Sequence, residues 1–143
     1  MLMVPTADQL SQIMSHAIAP AFLLGAVAAY ISILLTRMTV IVDRIRILND
    51  IADEDVARVR LRSDIPRLKR RAELLNKATY LALGSGICTT LLLILGFAMA
   101  FFGFRHEYGV GVLFVVAVCL MGASLARFAQ EVRIALHEFE NYR

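Results

Sequence analysis

Three long apolar segments without charged residues constrain this chain most strongly. They cover residues 17–35, 78–104 and 108–126, and each is close to or above the about 20 residues that a helix needs to cross the hydrocarbon layer of a bilayer. None of them alternates with the two-residue period of a β-barrel strand. The hydrophobic share of the chain, 59%, also exceeds the roughly 45–50% of a soluble domain. The sequence therefore predicts an all-α protein with three transmembrane helices in contact with membrane lipid.

The basic residues are concentrated between the first two apolar segments. Residues 37–77 hold eleven of the fifteen Lys and Arg residues, the first sixteen residues hold none, and the short connection 105–109 holds one. The positive-inside rule then puts the N-terminus outside and both the segment 36–77 and the C-terminus in the cytoplasm. Because the N-terminus lacks the positive start of a signal peptide, we expect the first span to be retained.

An apolar stripe continues where the charges begin. Its members are spaced alternately three and four residues apart, which is the heptad pattern that buries one edge of a helix against another. The residues of this cytoplasmic seam are Met38, Ile41, Ile45 and Leu48, followed by Ile65, Leu68, Ala72 and Leu75. The pattern predicts that residues 36–77 form a cytoplasmic helical hairpin with short coiled-coil packing between its arms.

Signals at the tip of the hairpin predict a third, short helix. Asp53 is a candidate cap for a helix that runs to Arg62, and Ser63 or Asp64 is a candidate cap for the next helix, with Pro66 in its first turn. The cluster of acidic residues here lacks the Gly and the terminal Glu of an EF-hand loop, so a solvated cap cluster is favoured over a cation site.

A tail helix over residues 127–140 is expected to extend the third span into the cytoplasm. Its apolar stripe is Phe128, Val132, Ala135 and Phe139, and the residues expected on its other faces are Glu131, Arg133, Glu138 and Glu140. This extension would pack against the hairpin. The whole chain, residues 1–143, is then predicted to be one integral-membrane domain in which a cytoplasmic helical bundle continues the membrane helices.

The N-terminal residues contain a helix-start signal. Thr6 and Gln9 fit a capping box, in which each residue's side chain bonds the other's backbone amide. Pro20 follows in the apolar region, and two alternatives stay open for it. A short interfacial helix bends near Ala19 before entering the membrane, or a straight helix begins with Pro20 in its first turn.

Small residues in the first and third spans indicate close helix packing. In lipid, where packing replaces the hydrophobic drive, small residues let helix backbones approach each other. The candidates for this packing are Ala17, Ala21, Gly25, Ala29, Gly122 and Ala126. They could pack within the chain or against another subunit. Because three spans make a thin bundle, the sequence favours self-association into a homo-oligomer.

The sequence contains no catalytic signature. A nucleophile elbow, a zinc-protease motif and a phosphate loop are all missing, and no His/Cys cluster has metal-ligand spacing. We therefore predict that the protein is not an enzyme and has no catalytic residues, cofactor or metal site. The basic window also lacks the interleaved aromatic residues that stack on bases, which argues against a nucleic-acid partner.

Polar residues in and near the spans leave a pore open as an alternative. Fully charged residues, which pumps usually need at depth, are missing from the spans, but milder groups in an oligomer could line a pore or attract ions. These candidates are Ser32, Thr36, Asp43, Ser85 and Thr89. The alternative for the hydroxyl groups is a bond to a carbonyl of their own helix. For Asp43 it is an ion pair across the hairpin with the basic region 67–71.

Three stretches of the chain resemble one protein family. They are APAFLLGAVAAYISILLTRMTVIVDRIRIL, RRAELLNKATYLAL and FAQEVRIAL, of which IVDRIR and RRAELLN are the most specific. Together they resemble the bacterial integral-membrane family catalogued as domain of unknown function 2721, from about residue 18 to 136. Family members usually have Arg before the Glu-Val of the last stretch, where this chain has Gln130. The resemblance implies a small bacterial inner-membrane protein with three spans, and it implies no established activity.

These observations favour a non-enzymatic, multi-pass protein of the bacterial inner membrane that forms a homo-oligomeric helical assembly. An oligomeric ion channel or pore is the first alternative. An accessory subunit of a larger membrane complex is the second.

Overall fold

The computed structural model describes residues 4–103 and 107–141, and all the regular structure in them is helical. Three long helices are α1 (Ala7–Asn49), α3 (Ile65–Phe102) and α4 (Glu107–Asn141). Between α1 and α3 lie the short helix α2 (Val56–Val59) and a 3-10 helix (Arg60–Asp64). The described ranges contain no strand, and the three long helices are long and apolar enough to cross a membrane. The all-α, three-span prediction is confirmed; the predicted end of the second span at residue 104 lies outside the described residues.

The capping box at the start of α1 is confirmed. The backbone amide of Thr6 donates to Oε1 of Gln9 at 3.1 Å, and the amide of Gln9 donates to Oγ1 of Thr6 at 3.4 Å. The helix then continues without interruption through Ala19 and Pro20. The alternative in which Pro20 lies in the first turn is therefore wrong, because the cap fixes the start of the helix near residue 7.

In the tip between α1 and α3, the residue that caps the short helix α2 differs from the predicted one. Asp55, which directly precedes α2, accepts a hydrogen bond from the backbone amide of Arg58 at 3.3 Å. An N-cap side chain reaches only the second or third amide of its helix, so Asp53 is too early in the chain to act as the cap. Asp53 instead contacts Nη1 of Arg62 at 2.6 Å. The helix α3 begins at Ile65 with Pro66 in its first turn, as predicted.

The buried residues repeat every seven positions along each long helix. In α1 they include Pro20, Val27, Leu34, Ile41 and Leu48; in α4 they are Ala117, Ser124 and Glu131. In α3 two such series interleave, Leu68, Leu75, Ala82 and Thr89 with Ala78, Ser85 and Leu92. Seven residues make almost two turns, so each series lies along one edge of its helix. The same repeat runs through the apolar and the charged parts of each helix.

The chain divides into two compact units, and the long helices contribute to both. One unit comprises the residues up to Tyr30 together with Leu81–Gly122. Its core is Val27, Tyr30, Ala82, Ser85, Thr89, Leu92 and Ala117. Large apolar side chains are exposed around it, including Phe22, Ile94 and Phe102. Exposure of this extent suits a surface covered by lipid rather than water, which agrees with a multi-pass membrane protein.

The second unit comprises Ile31–Tyr80 together with the residues from Ala123 onward. It contains the whole predicted seam, of which four residues are buried (Ile41, Leu48, Leu68 and Leu75) and four are half-buried (Met38, Ile45, Ile65 and Ala72). The buried set also includes Leu34, Ala78, Ser124 and Glu131. A carboxylate in such a core needs charged or hydrogen-bonding partners.

Candidate functional site: a buried charge network

Glu131 of α4 is fully buried, with 0% of its surface exposed. Its carboxylate accepts from Arg37 of α1, whose Nε lies 3.1 Å and whose Nη2 lies 2.9 Å from Oε2. It also accepts from Arg71 of α3, whose Nε and Nη2 each lie 3.0 Å from Oε1. One carboxylate therefore joins all three long helices in this unit.

Two further groups complete the network. Nη1 of Arg71 lies 3.1 Å from Oε2 of Glu138, which follows Glu131 by one seven-residue repeat. The guanidinium of Arg37 lies 5.4 Å from the ring centroid of Phe128, within the range of a cation–π contact. Two arginines and two glutamates thus form a chain of alternating charge with no net charge.

The arrangement satisfies the conditions under which a charge is tolerated in a core. An ionised carboxylate has about four acceptor positions, and here two guanidinium groups supply the donors. Burial of a single ion costs several kcal/mol, which good geometry and further hydrogen bonds offset. Arg71 is mostly enclosed, with 15% of its side chain exposed, whereas 36% of the Arg37 side chain is exposed. The burial of Glu131 therefore depends most on Arg71.

The tail prediction is wrong about Glu131, which it places outside the buried stripe. Phe139, expected in the buried stripe, is 73% exposed. The spacing from Phe128 to Glu131, Ala135 and Glu138 is three, four and three, so these four residues share one helix edge. A heptad search that admitted charged residues would have identified Glu131. A pattern of apolar residues alone does not include it, nor does it include Arg37 and Arg71.

Two buried serines connect neighbouring helices. In the first unit, Oγ of Ser85 in α3 donates to the carbonyl of Ala117 in α4 at 2.7 Å. In the second unit, Oγ of Ser124 in α4 donates to the carbonyl of Ala78 in α3 at 2.5 Å. For Ser85, the alternative of a bond within its own helix is therefore wrong. Both serines belong to the series of buried residues that repeats every seven positions. Their small side chains let the helices approach closely enough for a hydroxyl to contact the neighbouring backbone.

Both threonines in the predicted pore set do bond within their own helix. Thr89 donates to the carbonyl of Ser85, and Thr36 donates to the carbonyl of Ser32, each at 2.8 Å. Ser85 and Thr89 are both 0% exposed. Because neither reaches the surface of its unit, they are poorly positioned to line a pore between subunits, whereas Ser32 and Thr36 are exposed.

Asp43, the remaining member of that set, is exposed. Within the described ranges it forms no ion pair of 4.0 Å or less with the region 67–71, so the predicted pair across the hairpin is wrong. In that basic region Arg71 instead faces α4, where Glu131 and Glu138 provide a more enclosed partner.

The small residues predicted for helix packing are mostly left open by the chain's own helices. Ala17 is half-buried, and the exposed members are Ala21, Gly25, Ala29, Gly122 and Ala126. No heavy atom of another element would lie within 4 Å of a Cβ built at Gly25 or Gly122. By contrast, a Cβ at Gly86 would lie 3.4 Å from Val27, and a Cβ at Gly84 would lie 3.5 Å from Leu120. Close packing within the chain therefore uses glycines other than the predicted ones.

The charges of the network pair with one another. Every charged oxygen and guanidinium described above is directed to another member of the network. In the parts of the chain that the structure describes, no group of three or more His, Cys, Asp or Glu side chains is placed to hold a metal ion. The arrangement is suited to fixing three helices in one register.

Comparison with known proteins gives one match. The model of a family described as "Protein of unknown function (DUF2721)" matches residues 17–140, which include the whole charge network. No curated protein and no solved structure matches the chain.

Proposed function

The chain belongs to the DUF2721 family, whose description assigns no activity, and we propose that it is a non-enzymatic membrane protein that self-associates into a homo-oligomeric helical assembly. The first unit carries the interface, and the second unit holds the three helices in register through the charge network. The assembly lies in the bacterial inner membrane, with the basic second unit on the cytoplasmic side.

One observation carries this proposal. Ala21, Gly25 and Ala29 form a stripe of small residues that is exposed on α1, and Gly25 has no neighbour within 4 Å of its Cβ position. In lipid, small residues at four-residue spacing favour close contact between helix backbones. Since the chain's own helices leave this stripe uncovered, a second copy of the chain provides the matching surface.

The charge network supports the non-enzymatic part of the proposal. Glu131, which is fully buried, and Arg71, which is mostly enclosed, pair with each other at 3.0 Å. A catalytic acid, base or electrostatic stabiliser must be able to face a substrate. These groups face other helices, and their pairing favours a rigid support over a reactive centre.

The orientation follows from charge. The segment between the first two spans, with eleven Lys and Arg residues within 37–77, has the composition of a cytoplasmic connection. Cysteine-accessibility labelling in intact cells tests it. A cysteine introduced at the exposed Arg44 is expected to be protected from a membrane-impermeant reagent, and one introduced at the exposed Thr6 is expected to react.

Mass measurement of the full-length protein in mild detergent tests self-association. We expect a single oligomer for the natural chain, and a monomer for Gly25→Leu, whose longer side chain prevents close approach of two stripes. Ala26→Leu is the matched control, because Ala26 is exposed but lies one residue off the stripe. It is expected to leave the oligomer intact.

Several results would contradict the proposal. A strict monomer across detergents and in lipid nanodiscs removes self-association, and copurification with a fixed partner then supports the accessory-subunit alternative. An oligomer that Gly25→Leu leaves unchanged removes the stripe as the interface. Ion flux through liposomes containing the purified protein, lost on substitution of Ser32 or Thr36, replaces the proposal with the pore alternative.

A further inference from the structure

We propose that a basic cleft between α3 and α4 in the second unit binds a phosphate-bearing anion. The cleft has a volume of about 480 Å³, within the roughly 300–1,000 Å³ of small-molecule sites. Its cationic lining comes from Arg67 and Arg70 of α3 and Arg133 of α4, and Leu74 and Ile134 provide apolar walls. The cleft lies within one chain, so it does not depend on self-association.

In the described part of the chain, the three arginines of this cleft have no acidic partner. Arg67, Arg70 and Arg133 are exposed, and within residues 4–103 and 107–141 none of them forms an ion pair. The cleft has one acidic lining residue, Glu138, whose carboxylate contacts Arg71 at 3.1 Å. The charge network thus neutralises the cleft's carboxylate and, among the described residues, leaves the three guanidinium groups outside any ion pair of 4.0 Å or less.

The spacing of these residues places the three arginines around one cleft. Arg67 and Arg70 are three residues apart and share a face of α3. Arg133 is on the facing helix, with His137 one turn further along the same face of α4. Guanidinium groups bind phosphate oxygens through two parallel hydrogen bonds, and Arg is the preferred residue for this geometry. Apolar walls strengthen the attraction by lowering the local dielectric constant.

The expected distance of the cleft from the hydrocarbon layer is compatible with two sources of the phosphate. Arg70 precedes the predicted span at Ala78 by eight residues, and Arg133 follows the span that ends at Ala126 by seven. At about 1.5 Å per residue, their backbones lie roughly 10–12 Å beyond the hydrocarbon layer. This is a few Å beyond the outer edge of a headgroup region about 5–8 Å deep. Long arginine side chains reach from there to a lipid phosphate or to a phosphate compound in water.

The experiment uses the full-length protein in an uncharged detergent with two probes. Pyrophosphate binding is measured by calorimetry, and retention of phosphatidylglycerol over phosphatidylcholine is measured by native mass spectrometry. The cleft variant carries Arg67→Gln, Arg70→Gln and Arg133→Gln. The matched control carries Arg44→Gln, Arg46→Gln and Arg60→Gln, which remove the same charge from exposed positions outside the cleft.

The natural chain is expected to bind at least one probe, and the cleft variant is expected to bind it at least about tenfold more weakly, as the loss of charge-assisted hydrogen bonds requires. The control is expected to bind as the natural chain does. Preference for phosphatidylglycerol alone assigns the site to a lipid headgroup, and pyrophosphate binding alone assigns it to a soluble compound.

Two results would overturn the proposal: neither probe binds the natural chain, or the cleft variant and the control lose affinity equally. If circular dichroism shows that the triple variant does not fold, Arg133→Gln alone decides by the same comparison with Arg44→Gln. Binding that persists in monomeric Gly25→Leu separates this site from the proposed self-association.

Discussion

Substitution of Glu131 by Gln tests the central structural claim. The change keeps the shape of the side chain and removes its charge. The side-chain amide can accept from one guanidinium, but its NH2 group is a donor and would face the other guanidinium, which is also a donor. In the folded protein the two arginines would then lie 2.9 Å and 3.0 Å from a group that no longer neutralises them.

The expected cost follows from the exposure of the two arginines. Removing one partner of a buried ion pair costs roughly 3–5 kcal/mol. The lower end applies here, because Arg71 keeps Glu138 at 3.1 Å and 36% of the Arg37 side chain is exposed to solvent. We expect a loss of about 3 kcal/mol in the free energy of unfolding, which is about a hundredfold in the folded-to-unfolded ratio.

The assay is titration of helicity with a denaturing detergent in mixed micelles. Glu73→Gln is the control, because Glu73 is exposed on α3 and makes no ion pair in the described residues; it is expected to change the free energy of unfolding by less than about 0.5 kcal/mol. The double variant with Arg71→Gln should be less destabilised than the sum of its singles, since adjacent charges are coupled. Equal stabilities of Glu131→Gln and Glu73→Gln would refute the reasoning.

Two further predictions concern the first unit. Ser85→Ala removes a buried interhelical hydrogen bond of 2.7 Å and should lower the free energy of unfolding by about 1 kcal/mol, measured by the same titration. Thr90→Ala removes an exposed bond within its own helix and should lower it by less than about 0.5 kcal/mol. Equal losses would mean that the interhelical bond adds no stability. Gly86→Leu should destabilise the chain by about 1–3 kcal/mol through overpacking, because even a Cβ there would lie 3.4 Å from a neighbouring side chain. Gly25→Leu, with open space around it, should leave the monomer's stability unchanged, and a similar loss at both glycines would contradict the packing described.

There is a physical reason for a buried ion pair just beyond the predicted spans. An apolar core of the same volume is often as stable as a buried ion pair, or more so. A carboxylate that must meet two guanidinium groups, however, permits one axial alignment of three helices. Residues at heptad positions elsewhere in this unit, such as Leu68 and Leu75, pack almost as well after a slip of seven residues. The network therefore acts against slipped registers.

The sequence by itself determined which segments are helices and which of them can span a membrane. These properties depend on solvation and local geometry. The apolar lengths of the spans, the Thr6–Gln9 capping box and the three-four spacing of the seam are all readable within a few turns of chain. Family membership was readable for the same reason, because the motifs that carry it are contiguous.

Only the tertiary structure decided how the polar residues are used. Glu131 meets Arg37 and Arg71 across 94 and 60 residues of chain, and Ser85 meets a carbonyl 32 residues away. A local pattern marks a charged residue on a helix as solvated, since most such residues are exposed. Whether it is buried depends on which helix edges face each other and on whether opposite charges lie at the same position along the helix axes. The order of residues along one helix does not contain that information.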